Sequence, residues 1–205
     1  MENKYPYLGK YNSEYSYVFT QHLLPCGWAS WSKKFLKFYD ENMENYSDES
    51  GRKKAINRFV DKKLARQYSY FWREEYQRAK QNVRPVSWDY QMDFCLKYND
   101  LYGICPTVNQ IKNIGIDQDS IHGGIDKKGE MTLRFCEIET FPIKFPLKHP
   151  NTVKIDLNFE NEIAKILLYP FKLRVKNFFS HRIRKIFNIP GDISVRNYFK
   201  GLGRC

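Results

Sequence analysis

The stretch Arg52–Gln81 contains neither proline nor glycine. Within it Ile56, Val60, Leu64, Tyr68 and Phe71 recur every three or four residues, with lysine and arginine between them. That is the period of one helical face, and the intervening residues are strong helix formers. The spacing predicts one long helix or two joined ones, closed before Pro85. An apolar face of this length must be covered by other elements of the same chain.

Other segments carry the same period. From Gly27, Trp28, Trp31, Phe35 and Phe38 fall at i, i+3, i+7 and i+10, with Lys33, Lys34 and Lys37 off the stripe. This predicts a helix packing an aromatic stripe into the core. "YSDESG" (Tyr46–Gly51) reads as a polar break. Ser87 follows Pro85 and offers a side-chain oxygen to cap a helix over Trp88–Tyr98. Short strands are predicted near Tyr17–Thr20, at Tyr102–Cys105 before Pro106, and at "MTLRFCEIE" (Met131–Glu139). "TVNQIKNIGIDQDSIHGG" is loop-like, with Gly115, Gly123 and Gly124 as flexible points. "FPIKFPLKHP" carries three prolines and reads as an extended connection.

Charge divides the chain. The net charge is +11. Residues 163–205 hold ten Lys or Arg against one acid, Asp192, so the first 162 residues carry only +2. A basic tail is an attachment segment for something anionic, whereas a basic body would suggest a nucleic-acid surface. The tail's "FKLRVKNFFSHRIRKIF" is a basic amphipathic segment. Such a helix lies in the headgroup layer of an anionic membrane, or docks on its own domain by the same apolar face. The five cysteines are odd in number, lie far apart and form no CxxC pair, so no zinc-ligand spacing is present. No secretory hydrophobic region follows Met1 and no run of about eighteen apolar residues occurs. These features give a cytoplasmic setting as the expectation.

Taken alone, the candidate chemistry is local. Asp89 falls in the first turn of its helix, where the helix dipole favours a carboxylate by about 0.3–1 kcal/mol. Asp93 stands four residues before Lys97, the spacing of a helical ion pair. His122 lies in a glycine-flanked loop, and Asp117 and Asp119 form a D-x-D that chelates a hard cation in other settings. No P-loop, GxGxxG, HExxH or GxSxG is present.

Three blocks, in order, carry a resemblance. They are "GWASWSKKFLKFYD" (Gly27–Asp40), "SWDYQMDFCLKYNDLYGICPTVNQIKNIGIDQDSIHGG" (Ser87–Gly124) and "FPLKHP" (Phe145–Pro150). Together they resemble bacterial nucleotide-diphospho-sugar transferases of the hemolytic-protein-like, family 2 glycosyltransferase type. A more distant likeness runs to eukaryotic N-acetylglucosaminyltransferases. The resemblance implies an α/β fold, the C-terminal part of a GT-A-type glycosyltransferase. It is helix-rich with a few short strands, and a basic C-terminal helix follows. Residues 1–160 would form the acceptor-side half, without the donor-binding half, and residues 161–205 the tail.

The resemblance also implies roles. Asp89 matches a general base that takes the proton of an acceptor hydroxyl. Trp28, Trp31, Trp88, Gln91, Asn113 and Gly115 match substrate-binding positions, and His122 a position near the diphosphate or a metal. A divalent metal, Mn or Mg, belongs to the family, but its D-x-D falls in the half that this chain lacks; "DQD" is in a different place. The partners implied are a nucleotide-sugar donor and a glycan or lipid-linked acceptor. An anionic membrane surface would be met through the tail, at the inner face of the cell membrane. Nucleic acid is disfavoured, because the charge lies away from the aromatics of the body. The alternatives are a non-catalytic remnant, a half that docks onto a separately encoded donor domain, and a binding module for an anionic partner.

Overall fold

The computed structural model describes residues 5–114, 129–189 and 195–202. The chain divides into two compact units, Met1–Leu168 and Tyr169–Cys205. The sequence-based boundary at 160 falls inside a helix of the first unit, α6 (Leu157–Leu167).

The first unit is helix-rich with one two-stranded sheet. Strands β1 (Tyr17–Thr20) and β2 (Gly103–Pro106) pair antiparallel, Tyr17 opposite Pro106 and Thr20 opposite Gly103. Their inward residues Val18 and Cys105 pack with Phe159, Ile163 and Ile166 of α6. The first strand has the predicted bounds. The second starts and ends one residue later than predicted.

The long apolar period resolves into two helices, α2 (Glu49–Asn57) and α3 (Lys62–Lys80). Asp48 and Asp61 cap them, accepting from the N–H groups of Ser50 and Leu64 at 3.0 and 2.7 Å. Val60 lies exposed in the link, and Phe59 takes the buried place instead. The polar break at Tyr46–Gly51 is shorter than expected. Glu44–Ser47 forms a 3-10 turn that buries Tyr46, and α2 begins at Glu49. At Gly51 an added Cβ would collide with the Tyr98 ring, so glycine permits close approach of α2 to Tyr98. Helix α3 stops well before Pro85. Asn82 adopts a left-handed conformation, and the Asn82 and Val83 N–H groups bond back to Ala79 and Arg78 at 3.1 and 2.9 Å.

Helix α4 (Trp88–Tyr98) has the predicted bounds. Ser87 precedes it with extended backbone but makes no side-chain capping bond. The approach is fixed instead by Glu75 of α3, whose two carboxylate oxygens take the Val86 N–H at 3.2 and 3.1 Å. Every residue from Gln91 to Lys97 is buried. Trp72 and Phe94 meet edge to face in the core, 5.3 Å apart, and Leu64 and Tyr68 join them.

The Asp93–Lys97 pair is therefore not a surface pair. Lys97 Nζ is fully buried, 2.6 Å from Asp93 Oδ1 and 2.9 Å from the Gln21 carbonyl. It lies 4.5 Å over the Phe59 ring. Buried Glu160 of α6 stands close enough to add its charge. Its Oε1 accepts from the Thr20 hydroxyl at 2.6 Å and the Gln21 N–H at 3.0 Å, and its Oε2 lies 3.3 Å from His22 Nε2. The indole N–H of Trp72 helps hold the Asp93 charge without forming a well-aligned hydrogen bond. Burial raises the pKa of Asp93 and Glu160 and lowers that of Lys97. His22 is pushed well below its ordinary value by burial and then by the Lys97 charge. This cluster ties the end of β1 to α4 and α6.

Two expectations are overturned. Met131–Glu139 is not a strand: α5 (Glu130–Phe135) occupies its first part. Arg134 explains the change. Its guanidinium donates to the carbonyls of Lys165, Ile166 and Leu168 at 3.0, 3.0 and 2.7 Å, closing the C-terminus of α6, and it pairs with Glu130 one turn earlier. The helix from Gly27 is also shorter than expected. Only α1 (Ser32–Phe38) is helical, it buries no residue, and Trp31 is 76% exposed. The aromatic stripe is a surface feature.

The second unit comprises α7 (Phe171–Phe187) and α8 (Val195–Leu202). The first matches the basic amphipathic segment read from sequence. Among the described residues no helix is long and apolar enough to cross a membrane.

Candidate functional site

A cleft of about 790 Å³ opens in the first unit. Its walls are the Cys26–Trp31 segment, the strand β2 and the Asn109–Asn113 loop, and Met92, Leu96 and Ile163 contribute from α4 and α6. Concave, mostly apolar spaces of this size suit small-molecule ligands.

Gly27 sets the first wall against the second. Its φ is +66°, and an added Cβ would lie 2.7 Å from Ile111 Cγ2. Gly27→Ala is expected to cost about 1–2 kcal/mol for the backbone conformation alone, with displacement of Ile111 in addition. Chemical denaturation reads the loss, and Ile111→Ala in the same chain should recover part of it. A loss no larger than that of an ordinary surface change would remove Gly27 from this role.

The loop opposite is organised by Asn109. Its side-chain amide donates to the carbonyls of Ile111 and Glu139 at 2.7 and 3.0 Å. Its backbone N–H and carbonyl bond to Gly9 and Phe141. Asn113 lines the cleft, and its carbonyl accepts from the Glu137 N–H at 2.9 Å.

The tryptophans form the cleft's aromatic border. Trp28 and Trp31 both line it. The Trp28 ring lies 4.8 Å from that of Trp88 and 5.6 Å from that of Phe35, and Phe35 stacks on Tyr39 at 4.8 Å. Gln91 faces inward. It accepts from the Tyr39 hydroxyl at 2.8 Å and donates to the Glu41 carbonyl, so both ends of its amide are engaged within the protein.

Asp89 sits in the first turn of α4, next in sequence to Trp88. It does not line the large cleft. Its Oδ1 is buried and has no hydrogen-bond partner among the described residues. A buried carboxylate oxygen is costly unless a donor, a water or a ligand serves it. Buried Glu75 is close enough to feel the Asp89 charge. The pKa of Glu75 is raised, chiefly by burial and further by Asp89, against the opposing Val86 N–H and Arg78. Glu75 was invisible as a site residue in the sequence, where it is one more charge on a charged helix. The only sequence signal was its alignment with the apolar face of α3.

The third block lies beside β1 rather than at the cleft. Ser16 and Lys148 exchange two hydrogen bonds of 2.9 Å, and the Tyr17 hydroxyl lies 3.0 Å from His149 Nδ1.

Compared with protein-family models, curated proteins and solved structures, the chain matches none.

Gly115, His122 and the Asp117–Asp119 pair lie outside the described residues. Among the described residues no group of three or more His, Cys, Asp or Glu is placed to hold a metal ion. Cys26, Cys95, Cys105 and Cys136 are free thiols.

Proposed function

We propose that the chain is the acceptor-side part of a nucleotide-sugar-dependent glycosyltransferase. Its acceptor is a glycan or a lipid-linked sugar, and Asp89 is the general base. The observation that carries the reading is the buried, unpartnered Oδ1 of Asp89. It directly follows Trp88, whose ring packs on cleft-lining Trp28.

In this reading the acceptor hydroxyl gives its proton to Asp89. The acceptor oxygen forms a bond to the anomeric carbon as the bond from that carbon to the diphosphate oxygen breaks. The nucleoside diphosphate leaves with the electron pair, and the anomeric configuration inverts. The faces of Trp28 and Trp31 would pack on sugar C–H surfaces. Buried Glu75 stands beside the base and holds the Val86 N–H that leads into α4.

The two-stranded sheet leaves apolar surface for further packing. Ile104 of β2 and Ile111 and Ile114 of the following loop are all exposed. A sheet of two strands is marginal alone, and exposed apolar residues beside it suit further packing. The donor-binding half would pack there.

The test is nucleoside diphosphate release from a panel of nucleotide sugars. It is run on the chain alone and on the chain with the polypeptide encoded directly upstream of it. Turnover is expected only with both. No turnover with any donor in either arrangement, given a folded cleft, would leave the non-catalytic alternatives.

A further inference from the structure

Helix α7 carries a stripe of exposed apolar residues. Phe171, Val175, Phe178, Phe179 and Ile186 are all exposed, Phe171 and Ile186 by 71% and 72%. On a helix they fall within an arc of about 100°. The less exposed positions, Leu173, Arg174, Ser180, His181, Ile183 and Arg184, lie outside that arc. No residue of α7 is buried. An amphipathic helix ordinarily hides its apolar stripe, and this one presents it.

The charge around the stripe identifies what would cover it. Helix α7 contains six Lys or Arg and no Asp or Glu. Lys172, Lys176, Arg182 and Lys185 are exposed and form no ion pair among the described residues. The Arg182 guanidinium sits 5.2 Å from the Phe178 ring, so a cation borders the middle of the stripe. Helix α8 continues the pattern: its Phe199 ring meets Phe187 edge to face at 5.1 Å, and Arg196 and Lys200 add charge.

A second copy of the chain is a poor partner, because facing α7 stripes would bring their cations together with no acid between them. A nucleic acid would neutralise the cations but leave the phenylalanine stripe in water. An anionic lipid surface satisfies both, its phosphates meeting the cations and its acyl boundary receiving the stripe. We infer that α7 is an in-plane anchor, lying on an anionic lipid surface with Phe171, Val175, Phe178, Phe179 and Ile186 inserted. The inference concerns the second unit and stands apart from sugar transfer.

The full chain is sedimented, without nucleotide sugar, with vesicles of phosphatidylcholine alone and of phosphatidylcholine mixed with phosphatidylglycerol. Binding to the anionic vesicles is expected to exceed that to the neutral ones by about tenfold or more, and to weaken as salt rises. F178S/F179S should lose about tenfold in binding to the anionic vesicles while melting as the parent does, since both positions are exposed. K172E/K185E should lose anionic selectivity. Equal binding to both vesicle types, or full binding by F178S/F179S, would overturn the inference. A dimer formed without vesicles and abolished by F178S/F179S would assign the stripe to a second copy. Binding to polyuridylate stronger than to anionic vesicles, and unchanged in F178S/F179S, would assign the cations to nucleic acid.

Discussion

Replacing Asp89 by asparagine is expected to lower kcat for sugar transfer by about a hundredfold to ten-thousandfold, the usual contribution of a positioned general base. The assay supplies the donor-binding half together with the chain. Asparagine keeps the shape of the side chain but cannot accept the acceptor's proton. The donor KM should hold, because Asp89 acts on the acceptor hydroxyl. The fold should hold as well. Asp89 Oδ1 makes no hydrogen bond that the substitution would break, and the loss of a first-turn charge costs only about 0.3–1 kcal/mol. Turnover within threefold of the parent would remove Asp89 as the base. A lowered melting temperature with a matching fall in activity would make it a structural residue.

Lys97→Met is expected to destabilise the first unit by about 3–5 kcal/mol, the cost of removing one partner from a buried charge pair. The Lys97 ammonium is the cation nearest Asp93 and also balances Glu160, and both carboxylates are buried. Methionine fills similar space but leaves those charges without it. A thermal midpoint lower by about 10 °C follows for a domain of this size. Asp93→Asn in the Lys97→Met background should recover part of the loss, since it removes the stranded charge. A loss below about 1 kcal/mol would mean that water reaches the pair and screens it. Because the cluster joins β1, α4 and α6, the loss should appear as one cooperative transition of the first unit.

Much of the helical framework was legible in the sequence. Helices α4 and α7 have the predicted bounds, and β1 lies at the predicted Tyr17–Thr20. The division of the long period into α2 and α3 was anticipated only as an option. The aspartates that cap them, Asp48 and Asp61, were not singled out in the sequence. The candidate site was legible only in part. Trp28, Trp31 and Asn113 do line one cleft. Gln91 proved to be engaged with Tyr39 and Glu41, and Glu75 gave only the faint signal of its place on the apolar face of α3.

By itself, then, the sequence determined features set by neighbours along the chain: helical period and the charge division between body and tail. These arise from backbone hydrogen bonding and side-chain spacing within a few residues. Tertiary structure decided which faces are covered. It made α5 a helix, because Arg134 is needed at the carbonyls ending α6. It left the aromatic residues of α1 unburied and took the Asp93–Lys97 pair out of water. It also left the apolar stripe of α7 exposed. Burial depends on groups far away in sequence, such as Gln21 with Lys97 and Ile111 with Gly27, and no local pattern encodes those meetings.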